Sequence, residues 1–454
     1  MSVYSRFQIR SCWLAILGPT VVIVFAAAFA AFNLTDWPSP EARRVAMIDP
    51  LFFQHTGWYI VNGGVPYVDV WDVNPPVPFG ITAVLALLSG RDMHLLHVLS
   101  VALTVIVVAA SILLVGWVAY LVTGEDAAAV AAGLTMLVVP ELLVIPLLGV
   151  RAQFYALFFG VCALALALRD RPFLAGALVA LSAGSWQAGA AFALLVVGIA
   201  YQRTGRGGAI STVTGGGVVA GGIILVFAVS DALVPMVVET VLAPLVAGSP
   251  HSLTEHAYSI LLTFGYGSLL LLVTFYGWAL AAARDLRERW WIPAGGLILG
   301  FQVLFVDLDG STDVFLWLVF VALGVALAVE RMIAVRAAMS DRRRTVVAVV
   351  AVIGLLVLSG LVWNALAPPP APVLQTMQED ARPDEELSMS RGDADVPPME
   401  TIYWEQMEPK ACHYRLSRNE VRWIAITDGH LGRQECGSWP AALLDTQRAT
   451  ESIV

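Results

Sequence analysis

From Leu95 to Leu121 the chain carries no Asp, Glu, Lys or Arg, and neither does the stretch from Trp13 to Phe32. A helix of about 20 such residues crosses a hydrocarbon core of about 30 Å, so both runs are long enough to span. The apolar residues are continuous rather than alternating, which excludes a membrane β-barrel. With 58% hydrophobic and 13% charged residues and a mean hydropathy of +0.76, a soluble domain would expose large apolar patches. The 454 residues are therefore read as an all-α polytopic membrane protein. The first run follows Arg6 and Arg10 as a signal peptide would. It exceeds a signal h-region and ends at no clear small-residue cleavage site, so it reads as a retained span.

Candidate spans are 13–32, 95–121, 127–147, 152–168, 209–229, 260–283, 290–306, 313–335 and 344–367. The stretch 172–201 is long for one helix and short for two. Arginines cluster at Arg6 and Arg10, Arg169 and Arg171, Arg203 and Arg206, Arg284 to Arg289, and Arg331 to Arg344. The positive-inside rule makes these cytoplasmic, so 172–201 enters and returns, with its break at Ser185-Trp186-Gln187. Such a break is tolerated only where protein or a water-filled cavity covers it. The result is about eleven membrane segments, with the N-terminus cytoplasmic and the tail extracytoplasmic. On the outer face lie the first external loop (33–94), the 148–151 connection with Arg151, and the 230–259 loop with Glu239 and His256.

Three domains follow: a membrane domain over 1–367, a Pro-rich acidic linker over 368–398, and a small extracytoplasmic end over 399–454. In the end piece Glu420 to Ile426 alternates and Thr427-Asp-Gly429 turns, a strand signal that predicts an α+β tail. Cys412 and Cys436, both outside by this topology, suit a disulfide; free thiols are the alternative if the tail is cytosolic. The net charge of −9 and a single lysine, Lys410, exclude nucleic acid as a partner.

The polar residues of the first loop are concentrated. Asp49-Pro50 reads as an N-cap and first helical residue, opening a surface helix to Val61. Asn62-Gly-Gly64 ends it, Val65 to Asp72 is predicted extended, and Pro75-Pro-Val-Pro78 delays the next helix. The apolar run 79–89 is too short to span and reads as a second juxtamembrane helix.

The order Asp, apolar-aromatic helix, Gly-Gly-x-Pro-Tyr, x-Asp-x-Trp-Asp, x-x-Pro-Pro and an apolar run ending at Gly90 resembles the first external loop of the GT-C superfamily. These are membrane glycosyltransferases that use lipid-phosphate sugars, among them protein O-mannosyltransferases and the aminoarabinose transferases of lipid A. The resemblance continues through Gly149-Val-Arg-Ala-Gln153, Arg169-Asp-Arg171 and Trp186-Gln187, and covers residues 13 to 202. The acidic composition and the tail look most like an archaeal subgroup that uses dolichol-phosphate mannose in N-glycosylation of surface-layer (S-layer) glycoproteins. One departure stands out: many relatives carry lysine before Pro-Pro, and here the residue is Asn74.

The resemblance implies a multi-pass cell-membrane enzyme with a GT-C-like fold. It would be an inverting hexosyltransferase moving a sugar, mannose in the archaeal subgroup, from a dolichol- or polyprenyl-phosphate donor to a glycan or glycoprotein acceptor. The implied base is Asp49, and neither metal nor cofactor is required. Arg151, with Gln153 in the same turn, is the candidate cation for the donor phosphate, or a snorkelling residue at a span end. Tyr67, Asp69, Trp71 and Asp72 either contact sugar or brace a rigid loop, and Asn74 can hydrogen-bond phosphate without bringing charge. Gln187 either touches lipid phosphate or satisfies backbone groups at the break. His55, a further substrate-contact candidate, sits on a different helical face from Asp49 unless the helix is distorted. The alternatives are an arabinose-type or protein O-mannosyl transferase, a lipid-linked sugar flippase or transporter, and a non-catalytic scaffold.

Overall fold

The computed structural model describes residues 12–34, 40–70, 72–242, 252–305 and 311–337, with Tyr403, Trp404 and a few other single residues. Helices make up most of these regions, as a lipid-facing backbone must when its polar groups have no water to bond. Helix α1 (Cys12–Leu34) packs into the bundle through Leu17, whose side chain occupies the space a Cβ would need at Gly116 and Gly133. Helix α2 (Pro40–Val61) and helix α3 (Val77–Leu88) belong to the first loop. Helix α4 (Met93–Thr123) is capped by Asp92, whose side chain accepts from Leu95 N–H at 2.7 Å, and ends at Gly124 with φ 70°.

Helices α5 (Asp126–Met136) and α6 (Glu141–Val144) fall within the predicted 127–147 span. Pro140 separates them, and α6 continues as a 3-10 turn (Ile145–Leu148), bent 84° from α5. The run expected as one span is thus sharply bent, since proline denies the backbone bond that would carry the helix through. Helices α7 (Ala152–Leu168) and α8 (Pro172–Ala183) follow, then a 3-10 turn (Gln187–Ala190) and α9 (Ala191–Val229). The break expected at Ser185 to Gln187 is present. The loop expected between 201 and 209 is reduced to one non-helical residue, Gly205, at φ 71° and ψ −158°. A side chain would be strained there, so glycine alone lets the chain reverse so tightly.

Helix α10 (Leu233–Val237) runs into a π turn (Val238–Leu242). Ser252 and Glu255 form a capping box that opens α11 (Leu253–Phe264). Helices α12 (Leu269–Arg284), α13 (Leu286–Arg289), α14 (Trp291–Phe305) and α15 (Phe315–Ala337) complete the described bundle. Among the described residues five helical stretches are long and apolar enough to cross a membrane, or six with the bent pair. Shorter apolar helices stand beside them at 77–88, 152–168, 172–183 and 291–305. The predicted span 344–367 and the α+β tail lie outside the described residues, apart from single residues such as Tyr403 and Trp404.

Helix α15 is the axis of the core, buried from Phe315 through Val329. Without a hydrophobic drive between helices in lipid, close backbone approach and interhelical hydrogen bonds hold the bundle. Gly277 meets the Gly324 carbonyl with no room for a Cβ. Beside it Thr274 Oγ1 donates to Val321 O and Trp278 Nε1 to Phe320 O, both at 3.0 Å. Trp317 Nε1 reaches back to Gly296 O at 3.0 Å. Outward-facing Val22, Ile23, Leu225, Leu272 and Leu297 are exposed, as a lipid-facing surface requires.

The two ends of the bundle differ. One gathers arginine pairs: Arg203 grips Asp170 at 2.6 and 3.0 Å, and Arg289 grips Glu330 at 2.5 and 2.9 Å. Trp13 N–H also meets Asp126 there, at 3.4 Å. The other end gathers the first loop, the 149–151 turn, the Gln187 break, Glu239, Asp313 and Tyr403. Residue 403 is therefore on the same side of the bundle as the first loop.

Candidate active site

Helix α2 begins at Pro40, so Asp49 lies inside it and is not its N-cap. The chain is already helical before Pro50, whose missing N–H interrupts the ladder without ending it. The partner of Asp49 is an arginine: Arg151 Nη2 contacts Asp49 Oδ2, the Asp49 side chain being 51% exposed and that of Arg151 18%. Arg151 stands at the start of α7, where Gly149 (φ 118°) turns the chain out of the 3-10 segment. That turn brings the guanidinium onto α2. Gln153, on the first turn of α7, donates its amide at 3.1 Å to Asp313, which is buried beside α15.

The predicted extended segment is not extended over 65–70. Tyr67 N–H donates to Val70 O at 2.8 Å, and Asp69 Oδ2 accepts from Val65 N–H at 2.7 Å. Local side-chain bonding of this kind competes with extended backbone and closes a turn instead. Tyr67 takes φ 66°, an uncommon conformation outside glycine, and its buried hydroxyl donates to Asn74 O at 2.7 Å. Burial, with Asp72 and Glu239 close by, pushes that phenol up from its ordinary value. Asp72 is buried, and its Oδ1 accepts from both Asn74 N–H (2.7 Å) and Asn74 Nδ2 (2.8 Å). Asp72 N–H in turn donates to Glu239 Oε2 at 3.0 Å. Glu239 is buried, and that burial raises its carboxyl well above the usual range. The Asp72 N–H opposes the rise and the Asp72 charge adds to it.

Gln187 joins the break to this loop. Its Nε2 donates to Val73 O at 2.5 Å and Thr240 O at 3.1 Å, while Val77 N–H donates to Gly184 O at 2.8 Å. Helix α8 spans about 18 Å at 1.5 Å per residue, short of the roughly 30 Å core. The break is covered by protein, with its amide spent on carbonyls. His55 is fully buried in α2, its ring 5.4 Å from Trp58. Trp71, Cys412 and Cys436 lie outside the described residues.

The structure thus brings Asp49 and Arg151 together, and separately joins Tyr67, Asp72, Asn74 and Gln187 to Glu239 and Thr240. Sequence reading placed Glu239 on this face without a partner and passed over Asp313. The acidic stretch Asp307 to Asp313 between two apolar runs was the available signal for Asp313. Gln54 and Tyr403 carried no signal.

Three comparisons bear on this arrangement. The protein family described as DolP-mannose mannosyltransferase matches residues 63–230. The dolichol phosphate-mannose mannosyltransferase of Haloferax volcanii is 29% identical over 437 residues, covering 89% of this chain and 92% of the relative. The crystal structure of ArnT from Cupriavidus metallidurans bound to undecaprenyl phosphate superposes with a TM-score of 0.54 at 13% identity. It covers 93% of this chain and 89% of that one, and shares the fold. Together they bear out the resemblance to the GT-C membrane glycosyltransferases and the reading of the chain as a hexosyltransferase.

Proposed function

We propose that the chain transfers mannose from a dolichol- or polyprenyl-phosphate donor to an acceptor glycan at the loop end of the bundle. By the positive-inside rule that end faces outward, since the arginine pairs gather at the other. The observation that carries the reading is the half-exposed Asp49 carboxylate held against Arg151. The acceptor hydroxyl oxygen attacks the anomeric carbon from the face opposite the phosphate. The bond from that carbon to the phosphate oxygen breaks, and its electron pair leaves with the lipid phosphate. Asp49 takes the hydroxyl proton, and Arg151 meets the charge developing on the departing phosphate. No metal is needed in this scheme. The inversion follows from attack opposite the leaving group.

The Haloferax relative's name supports mannose and dolichol phosphate as donor. An archaeal protein-glycosylation role, with an S-layer glycoprotein as final acceptor, extends that likeness. The test is transfer of labelled mannose from dolichyl-phosphate mannose to lipid-linked glycan by the purified full-length protein. Asp49→Asn should abolish transfer while leaving the protein folded. Transfer that survives this substitution overturns the base assignment, and no transfer from any lipid-phosphate sugar overturns the function.

A further inference from the structure

Tyr403 lies far beyond the last described helix, yet its side chain is fully buried at the head of α4. Its hydroxyl donates to Met93 O at 2.6 Å and lies 3.1 Å from Gln54 Oε1. His97 Nδ1 meets the same Gln54 oxygen at 3.0 Å. Trp404 stacks on the His94 ring, centroids 4.5 Å apart, and meets His97 edge-on at 6.1 Å. Two consecutive aromatics thus seat the returning tail on the first turns of α4 and on the buried Gln54 of α2.

Gln54 has a second neighbour. A Cβ at Gly149 would sit 2.5 Å from Gln54 Nε2 and 3.5 Å from Pro50 Cβ, so that glycine's backbone lies directly against α2. Two residues on from Gly149, Arg151 meets Asp49, the residue before Pro50. Helix α2 is therefore held on one side by the tail and on the other by the turn that carries the arginine. Gln54 touches both.

We propose that Tyr403 and Trp404 form a latch that, through Gln54, positions the Asp49–Arg151 pair. Tyr403 is in this account a positioning residue. Removing its hydroxyl takes away the contacts to Met93 O and Gln54 Oε1, leaves His97 as the polar side-chain partner of Gln54 among the described residues, and lets α2 shift against the 149–151 turn. Small misplacements of reacting groups cost turnover more than binding. The kinetic arm of the test rests on the transfer reading above, and the exchange arm does not.

The experiment uses the full-length protein in proteoliposomes, as wild type, Tyr403→Phe and Trp404→Ala. Tyr403→Phe keeps the buried ring and should fold. Its kcat for mannose transfer should fall about tenfold, with KM for dolichyl-phosphate mannose changed less than about twofold. Amide hydrogen exchange in 49–54 and 149–151 should quicken in Tyr403→Phe, and in the same direction but less in Trp404→Ala. Unchanged exchange at 149–151, or a rise in KM at constant kcat, overturns the latch. If the wild type transfers no sugar, the functional reading fails, and the exchange result alone decides the latch.

Discussion

On the α2 side of the first loop, Asp49 stands half exposed against an arginine. On the 65–77 side, Asp69 and Asp72 spend carboxylate oxygens on the N–H groups of Val65 and Asn74. The same residue type does two jobs a short distance apart in sequence. A carboxylate bonded to its own turn lowers the energy of one backbone path, and moving a proton to it would break that turn. A carboxylate facing solvent and a guanidinium can exchange partners without disturbing the chain. The comparison assigns chemistry to the first side and architecture to the second.

The largest effect expected from this division is the loss of transfer in Asp49→Asn. Removing a positioned base costs about 10²- to 10⁴-fold in rate. The amide keeps the shape and a hydrogen bond to its surroundings, so thermal stability in detergent should stay close to wild type. Next comes Arg151→Ala, expected to lower kcat by about 10²-fold, as loss of one donor to a developing anion does. Arg151→Lys should recover part of that loss because the charge returns without the fork. Steady-state rates of mannose transfer check both, and equal rates for alanine and lysine variants would remove Arg151 from the phosphate.

Much of this was legible before the structure. Charge-free runs and clustered arginines predicted a helical membrane protein, the break at Ser185 to Gln187 and a juxtamembrane helix over 79–89, which the structure starts two residues earlier at Val77. The failures share one cause. Asp49-Pro50 has the signature of a helix start, but the signature records only that proline tolerates that position, and the helix had begun at Pro40. The segment after Gly64 looked extended by its valines and prolines, yet Asp69 bonding back to Val65 closed it into a turn. The partnership of Asp72 with Glu239 and the seat of Tyr403 on Gln54 join residues remote in sequence, and neither leaves a local pattern to read.

The 65–77 side should respond in stability rather than in chemistry. Asp72→Ala strands two donors of Asn74 and leaves the backbone N–H of residue 72 still facing the Glu239 carboxyl. Unmet buried donors cost about 2 kcal/mol, so the melting temperature should drop and transfer should fall only as far as folded protein is lost. A variant with wild-type stability and no transfer would move Asp72 to the chemical side of the comparison.

The smallest effect is the one that tests the buried carboxyl itself. Glu239 has a folded-state pKa raised by burial first and by the Asp72 charge after it. A carboxyl raised on folding binds its proton more tightly in the native state. Its stabilising contribution is therefore full below the ordinary carboxylate range and is lost as pH rises through the raised folded value. Between those limits the melting temperature of the wild-type protein should fall with pH by this contribution. Glu239→Gln places a permanently neutral, isosteric acceptor opposite the Asp72 N–H and removes that part of the slope. Melting curves of the two proteins across the acid-to-neutral range, in one detergent, make the measurement. Parallel slopes would mean that Glu239 is charged in the folded protein, and the 65–77 side would then hold two charges against each other instead of one brace.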